Sequence, residues 1–454
     1  MPKNRQAAPQ PVCFLSAHFQ VAFLFPGYLK PRAQMTPAQL LHTSTLLGQV
    51  LSFEQPADAL VSAYFRSHKK LGRQDRHEIA ETVFAALRHL QKIQSVLPEP
   101  VRQSRRAALA ALVLGRGISI SALADCANAE ETEFLGYLKA KKTEFAGQLN
   151  TAAELPEWLI AQLHAQGWND EHILAFGRST ATPAPLDLRV NTLQTKRDKV
   201  LAQLQSEGIR CEATPYSPWG IRLHDKSALM RHPLFLEGAI EVQDEGSQLL
   251  ARLTGARRGE IIVDFCAGAG GKTLALGAAM NNSGRLYAFD VAEKRLAKLK
   301  PRMVRAGLTN ISPQRIGSET DPRLERLIGK ADRVLVDAPC SGLGTLRRNP
   351  DLKYRQSPER IAELEKQQTA ILEAAARLVR PGGRLVYATC SVLATENEQQ
   401  AERFSAAHPD WQPVNAAELL PDCPELFSGS PYLQLSTAEH RTDGFFAAVW
   451  TRPA

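Results

Sequence analysis

Five short apolar runs, "EIIVDF", "RLYAFD", "ISPQRI", "RVLVDA" and "GRLVYATC", follow one another between residues 260 and 390 with helical stretches between them. Apolar strands that alternate with helices are accommodated by a parallel sheet, because each crossover lays a helix on one face and both faces become buried. The pattern therefore predicts a doubly wound α/β domain. Before the last run, Ser357 stands as an N-cap, Pro358 occupies the first helical position and Pro381-Gly382 marks a stop. That punctuation predicts a helix over 358–379.

The rest of the chain reads differently. Its 454 residues leave room for further domains with cores of their own. From residue 35 to about 150 the pattern is helical. In "DRHEIAETVFAALRHLQKI", Ile79, Val83, Leu87, Leu90 and Ile93 recur at three- and four-residue spacing, one apolar stripe. "VRQSRRAALAALVLG" reads as another helix, ended by Gly115. Next, "LDLRVNTL", "KRDKVLAQLQSEGI", "CEATPY" and "GIRLH" read as strand, helix, strand, strand, a small α/β module over 154–237. The doubly wound domain follows over 238–454. Residues 1–34 carry Lys3, Arg5, Lys30 and Arg32 with no acid, and the apolar part holds His18 and Gln20 with no small-residue cleavage site after it. This is a poor signal peptide and too short for a membrane span. The expectation is a disordered tail or an upstream-extended start, with Met35 as the true beginning.

A net charge of +8 points towards a polyanionic partner. Seven cysteines without regular spacing and without a C-x-x-C pair argue against a disulfide framework and against structural zinc. A reducing, cytoplasmic setting fits, with no metal expected.

The stretch "VDFCAGAGGKT" ends a strand at Phe265 and starts a helix near Lys272, with glycines between. Glycines let a ligand approach the backbone, and the helix N-terminus offers free N–H groups. Twenty residues beyond Gly270 the second strand ends in Asp290, placed to accept hydrogen bonds from ribose hydroxyls. The candidate cofactor cradle is thus Cys266, Ala267, Gly268, Ala269, Gly270, Gly271 and Lys272, with Asp290. An ATPase P-loop would require glycine where Cys266 stands, so that reading fails. A purely structural glycine loop is the plain alternative. A dinucleotide remains open, but nothing in the chain suggests hydride chemistry, whereas its cysteines suit methyl transfer from S-adenosylmethionine.

Two of those cysteines end strands. Cys340 follows Asp337-Ala338-Pro339, and Cys390 follows "LVYAT". Free cysteines are usually small buried hydrophobes. Paired at two strand ends, however, they suit one reaction. Methyltransferases acting on exocyclic amines carry an Asp/Asn-Pro-Pro-aromatic segment where this chain has "DAPC", so amine transfer is disfavoured. Cytosine C5 is a poor nucleophile until a thiolate adds at C6, and a base must later take the C5 proton so that the thiolate can leave. One thiol would attack and a second would serve release; spacing alone does not say which. Asp337 could hold the cytosine ring nitrogen. Cys13, Cys126, Cys211 and Cys423 are read as structural.

"DFCAGAGGKT", "DAPCSGLGTLRRNPDLKY", "YATCSVLATENE" and "HRTDGFFAAVW" together resemble the RsmB/Nop (Sun-type) family of RNA cytosine-5 methyltransferases, over residues 237–454. "LDLRVNTL" and "EVQDEGSQL" are similar to the same family upstream, and "YFRSHKKLGRQDRHEIAETVFAALRHL" is similar to its NusB-like helical domain. The resemblance implies a C-terminal α/β Rossmann-like class I methyltransferase, preceded by a small α/β (RRM-like) module and an all-α NusB-like domain. It implies S-adenosylmethionine as cofactor, Cys390 as nucleophile and Cys340 as the residue that assists release. Ala-Pro usually stands where this chain has Gly268-Ala269, and the acid usual after the third strand is replaced by Ser318, with Asp321 further on.

The expected activity is cytosine-5 methylation of RNA, most naturally ribosomal RNA, by a monomer. The alternatives are another RNA such as tRNA, or a catalytically idle RNA-binding assembly factor. Arg347, Arg348, Lys353 and Arg355 beside "DAPC" are expected to grip phosphates, helped by Arg105, Arg106, Arg189 and Lys196 upstream.

Overall fold

The computed structural model describes residues 35–224, 229–427 and 429–454. The expectation for residues 1–34, and Cys13 with it, lies outside them. The helical region starts at Pro37, where Thr36 accepts a hydrogen bond from Gln39 N while the Gln39 side chain accepts from Thr36 N, a reciprocal cap. Ile79, Val83, Leu87, Leu90 and Ile93 are all fully buried in its core, as their spacing required. They belong to two helices rather than one, however. The chain turns at His89 (φ −106°), dividing Arg73–Arg88 from Leu90–Val96.

The small sheet contains β1 (Leu186–Val190), β2 (Cys211–Ala213), β3 (Gly220–Leu223) and β4 (Ile240–Val242), in the order β2-β3-β1-β4. Its fourth strand lies beyond the boundary expected at 237, so that boundary is corrected. β4 pairs antiparallel with β1, Leu188 opposite Val242, and a three-residue strand carries too little pattern to be seen in sequence. Two helices expected to belong to this module, Glu157–Ala165 and Asp170–Thr180, instead bury Leu159, Leu163, Ile173 and Phe176 against Leu343, Leu346 and Leu352 of the large domain.

The large sheet is built from β5 (Ile261–Asp264), β6 (Arg285–Asp290), β7 (Ile311–Arg315), β8 (Ala331–Asp337), β9 (Val379–Thr389), β10 (Gln412–Val414), β11 (Leu433–Leu435) and β12 (Phe445–Thr451). Its order is β10-β12-β9-β8-β5-β6-β7, with β11 also pairing with β12. The five sequence-predicted strands are parallel, but β12 runs antiparallel to β9 and β10 antiparallel to β12. The sheet is therefore mixed, not wholly parallel. β12 is apolar and buried on both faces from Phe445 to Trp450, a pattern that does not reveal strand direction. From β5 the chain passes to β6 and β7 on one side, and β8 and β9 lie on the other. The carboxyl ends of β5 and β8 therefore flank a topological switch point, where α/β sheets open a crevice.

The helix predicted over 358–379 runs Pro358–Ala376, with the Ser357 side chain accepting from Arg360 N. Among the described residues no helix is long and apolar enough to cross a membrane.

Candidate active site

β8 and β9 are neighbours, Asp337 opposite Ala388, so the segments that leave their ends leave side by side. This brings Cys340 Sγ and Cys390 Sγ to 3.3 Å, both thiols buried. Cys390 N also donates to Cys340 Sγ at 3.4 Å. Glu396 ties the two segments together. It accepts from Ser341 N at 2.8 Å, from Gln368 Nε2 at 2.9 Å and from the Ser391 hydroxyl. Burial raises its pKa above the ordinary carboxylate value, although those hydrogen bonds pull the other way. A third tie is Gly344, whose N–H donates to Cys390 O at 2.8 Å. A Cβ at 344 would stand 2.2 Å from Gly444 O and 2.8 Å from Cys390 O, so no other residue fits there.

Asp337 ends β8, and its Oδ2 accepts from Lys272 Nζ at 2.7 Å. Its Oδ1 is buried with no hydrogen-bond partner among the described residues. Lys272 was expected in the cofactor cradle; its ammonium instead lies 5.6 Å from the centre of the Phe445 ring and faces Asp337. Burial pulls the Lys272 pKa down, but Asp337, then Cys390 and Asp264, hold it above the ordinary lysine value. Asp264, the last residue of β5, is a site residue that sequence reasoning passed over. Burial pushes its pKa up to about 7, Thr273 holds its Oδ2 at 2.6 Å, and its Oδ1 too is buried and unpartnered. An acid directly before a glycine loop was the available signal. Glu396 was likewise missed, though it stands in the quoted "TENE".

The segment 266–270 bridges β5 and the helix Gly271–Ala279. Gly268 has φ +56°, and a Cβ there would meet nothing within 4 Å, so the loop presents an open concave face. Asp290 holds this loop from the end of β6. Its Oδ2 accepts from Gly268 N at 2.8 Å, and its Oδ1 from Ala292 N at 2.6 Å and Arg295 Nη2 at 3.1 Å. The small module grips the same loop from the opposite side. Arg189 of β1 donates to Gly271 O at 2.6 Å, and Arg302 donates to Ala269 O at 2.5 Å and to Glu241 of β4 at 3.1 Å. Open space at Gly268, two unpartnered buried carboxylate oxygens and a helix N-terminus suit S-adenosylmethionine, with its ammonium, ribose and carboxylate. Cys266, Ala267, Gly268, Ala269, Gly271, Lys272, Asp264 and Asp337 all line this cleft. Asp290 and Gly270 support the loop from behind. Beyond β7, Asp321 is occupied by Gly317 N and Arg323 N, and Ser318 by Thr320, so both serve the turn.

Asp290→Ala removes the acceptor of the Gly268 N–H in the loop and of the Ala292 N–H after β6, as well as the expected ribose acceptor. A charged hydrogen bond contributes about 1.5–3 kcal/mol, so affinity for S-adenosylhomocysteine should fall roughly ten- to a hundredfold or more. Calorimetry is the check, and unchanged affinity would exclude the ribose contact.

The phosphate-gripping reading is corrected for Arg347, Arg348, Lys353, Arg355 and Arg189. Arg347 and Arg348 are paired inside the protein with Asp443 (2.8 and 2.5 Å) and Asp244 (3.4 and 2.8 Å). Lys353 is buried, donates to Glu154 O at 2.6 Å and Arg88 O at 3.3 Å, and burial lowers its pKa to about 8. Arg355 pairs with Asp351 at 3.6 Å. Arg189 is buried with its pKa lowered to about 10 by burial, and Arg105 is bound to Glu131 at 2.7 Å. Arg106 reaches Glu130 at 3.4 Å, while Lys196 is exposed. Arg189, Arg347, Arg348 and Lys353 thus join one domain to another.

Residues 252–451 match the family described as 16S rRNA methyltransferase RsmB/F, and residues 155–229 match the ferredoxin-like domain of RsmF/B-like methyltransferases. The chain is 39% identical over 297 residues to the probable ribosomal RNA small subunit methyltransferase B of Synechocystis sp., covering 64% of this chain and 66% of that one. It is 30% identical over 409 residues to ribosomal RNA small subunit methyltransferase B of Proteus mirabilis, covering 84% of this chain and 91% of the relative. The chain belongs to the RsmB/F family. A solved structure matches nearly the whole chain: the protein PH0851 superposes with a TM-score of 0.73 at 25% identity, covering 92% of this chain and 99% of that one. The ferredoxin-like description of the RsmB/F small module agrees with its sheet order β2-β3-β1-β4. The donor used by RsmB/F methyltransferases, S-adenosylmethionine, is the one the cleft fits.

Proposed function

We propose that this RsmB/F member transfers a methyl group from S-adenosylmethionine to C5 of a cytosine in 16S-type ribosomal RNA, through a covalent cysteine–cytosine intermediate. The observation that carries this reading is the pair of thiols 3.3 Å apart beside the Lys272–Asp337 ion pair. When bound, the cofactor supplies an electrophilic methyl group. The protein's task is to make C5 nucleophilic. Cys390, as thiolate, forms a bond from sulfur to C6; the C5=C6 double bond is lost as its electrons shift into a C4=C5 enamine, with a proton taken up at the ring nitrogen. Asp337 Oδ1 supplies the acceptor that a cytosine edge needs, and Lys272 fixes the carboxylate by holding Oδ2. After transfer a base takes the C5 proton, the electrons of that bond re-form the C5=C6 double bond, and the C6–S bond breaks with its electrons returning to sulfur as thiolate. Cys340 serves that release step.

The enzyme works on RNA as a cytoplasmic monomer in this reading. The helical and ferredoxin-like domains form walls of the cleft rather than detached RNA grips, since Leu186, Asp187, Phe84 and Arg88 line it. The test is incubation of the purified protein with a 16S rRNA transcript and labelled S-adenosylmethionine, followed by bisulfite sequencing. Labelled 5-methylcytosine at a defined position is expected. Incorporation at adenine or guanine, or none in any RNA, would overturn the proposal.

A further inference from the structure

The cleft is longer than its cofactor end. Its lining is drawn from all three domains. It continues past Asp443 and Arg348 to a far end built by another domain. There Asp58 of helix Ala57–Ser67 and Ala80, Phe84 and Arg88 of helix Arg73–Arg88 face Thr345 and Asn349 of the large domain.

Buried polar atoms without partners are uncommon in folded proteins and call for an explanation. Five line this cleft, and they fall into two groups. Asp264 Oδ1 and Asp337 Oδ1 belong to the cofactor and target-base site. The other three, Asp58 Oδ1, Arg88 Nε and Asn349 Oδ1, are at the far end, and the reaction as described uses none of them. Asp58 and Asn349 are each only 3% exposed. Asn349 is held in place because its Nδ2 donates to Thr345 Oγ1 at 2.8 Å, which leaves Oδ1 free as an acceptor. Arg88 reaches Arg347 O at 3.5 Å and leaves Nε free as a donor.

The chemistry of this group selects among ligands. A phosphate would meet Asp58 and Glu81 as well as one arginine, so an anion is a poor match. A nucleobase edge offers donors and acceptors in one plane, matching two acceptors and a donor. Its flat faces suit the apolar Ala80 and the Phe84 ring, over which the Arg88 guanidinium lies 6.0 Å from the centroid. We propose that this end of the cleft is a second nucleobase subsite, which holds an unstacked base of the RNA that flanks the target cytosine. The inference rests on the RNA methyltransferase reading above. It assigns part of substrate choice to the contact between the helical domain and the 345–349 segment.

The experiment uses the full-length protein and a 16S rRNA fragment centred on the cytosine that bisulfite sequencing identifies. Nucleotides within six positions on either side are replaced singly by abasic residues. For the wild type, one such replacement should lower kcat/KM at least tenfold, mainly through KM. For Asn349→Ala and Arg88→Lys, KM on the intact fragment should rise at least tenfold, and the same abasic replacement should then cost less than a further twofold. Wild-type indifference to every abasic position, with the intact fragment still methylated, overturns the subsite. So does full abasic sensitivity in both variants. Calorimetry with S-adenosylhomocysteine reports whether the variants retain a folded cofactor site; if they do not, the wild-type abasic series decides alone. Absence of methylation on any RNA overturns the function itself and the subsite with it.

Discussion

Alanine at position 390 is expected to abolish both methyl transfer and the covalent enzyme–RNA adduct, whereas alanine at position 340 should let the adduct form and accumulate. Loss of a nucleophile whose bond is formed in the reaction typically costs on the order of 10⁴ or more in turnover. Cys390→Ala removes the atom that makes C5 reactive, so no adduct can precede transfer. Cys340→Ala leaves that atom in place and removes its neighbour at 3.3 Å, so the slow step becomes release. The geometry is nearly symmetrical, since both thiols are buried and both loops hang on Glu396. A denaturing gel that separates free protein from RNA-linked protein distinguishes the roles. Adduct from Cys390→Ala and none from Cys340→Ala would reverse the assignment.

Asp443→Ala should destabilise the protein by about 3–5 kcal/mol, the usual consequence of removing one partner from a buried ion pair. Asp443, 3% exposed, binds both Arg347 and Arg348, and its loss leaves one buried and one partly buried guanidinium sharing Asp244. Burial works against ionisation of Asp443, yet the two arginines hold its pKa below the ordinary aspartate value. Asp244 takes the opposite direction: burial and the neighbouring Asp443 push it up to about 6. The cluster joins the ferredoxin-like module, through Asp244 and Pro185 O, to the 347–348 segment and the C-terminal strand. Its loss should therefore loosen the cleft wall as well as the fold. Urea denaturation followed by circular dichroism measures the effect, with Asp443→Asn as the isosteric comparison. A loss below about 1 kcal/mol would mean that the cluster contributes little beyond packing.

Much of the architecture was legible because it is decided locally. Period and capping extend over a few residues, so the five parallel strands, the Ile79–Val83–Leu87 stripe and the Ser357 cap could be read directly from their order. Two cysteines at the ends of two apolar runs, and a glycine loop with Asp290 beyond it, were visible as types at a spacing. Their closeness in space, and the carboxylates Asp264 and Glu396 that hold or face them, came only with the sheet. Strand direction at β12 and the placement of β4 in the small sheet depended on connections that apolar patterns do not record. The basic residues are the clearest case. Arg347, Arg348, Lys353 and Arg189 look like solvent-facing cations in sequence, because an isolated charge belongs in water. Their partners, Asp443, Asp244, the Glu154 carbonyl and the Gly271 carbonyl, lie from 82 to 199 residues away along the chain. Sequence alone determined that these side chains carry charge. Only the tertiary structure decided that the charge is turned inward, because a buried cation is tolerated where the fold brings an acceptor to meet it.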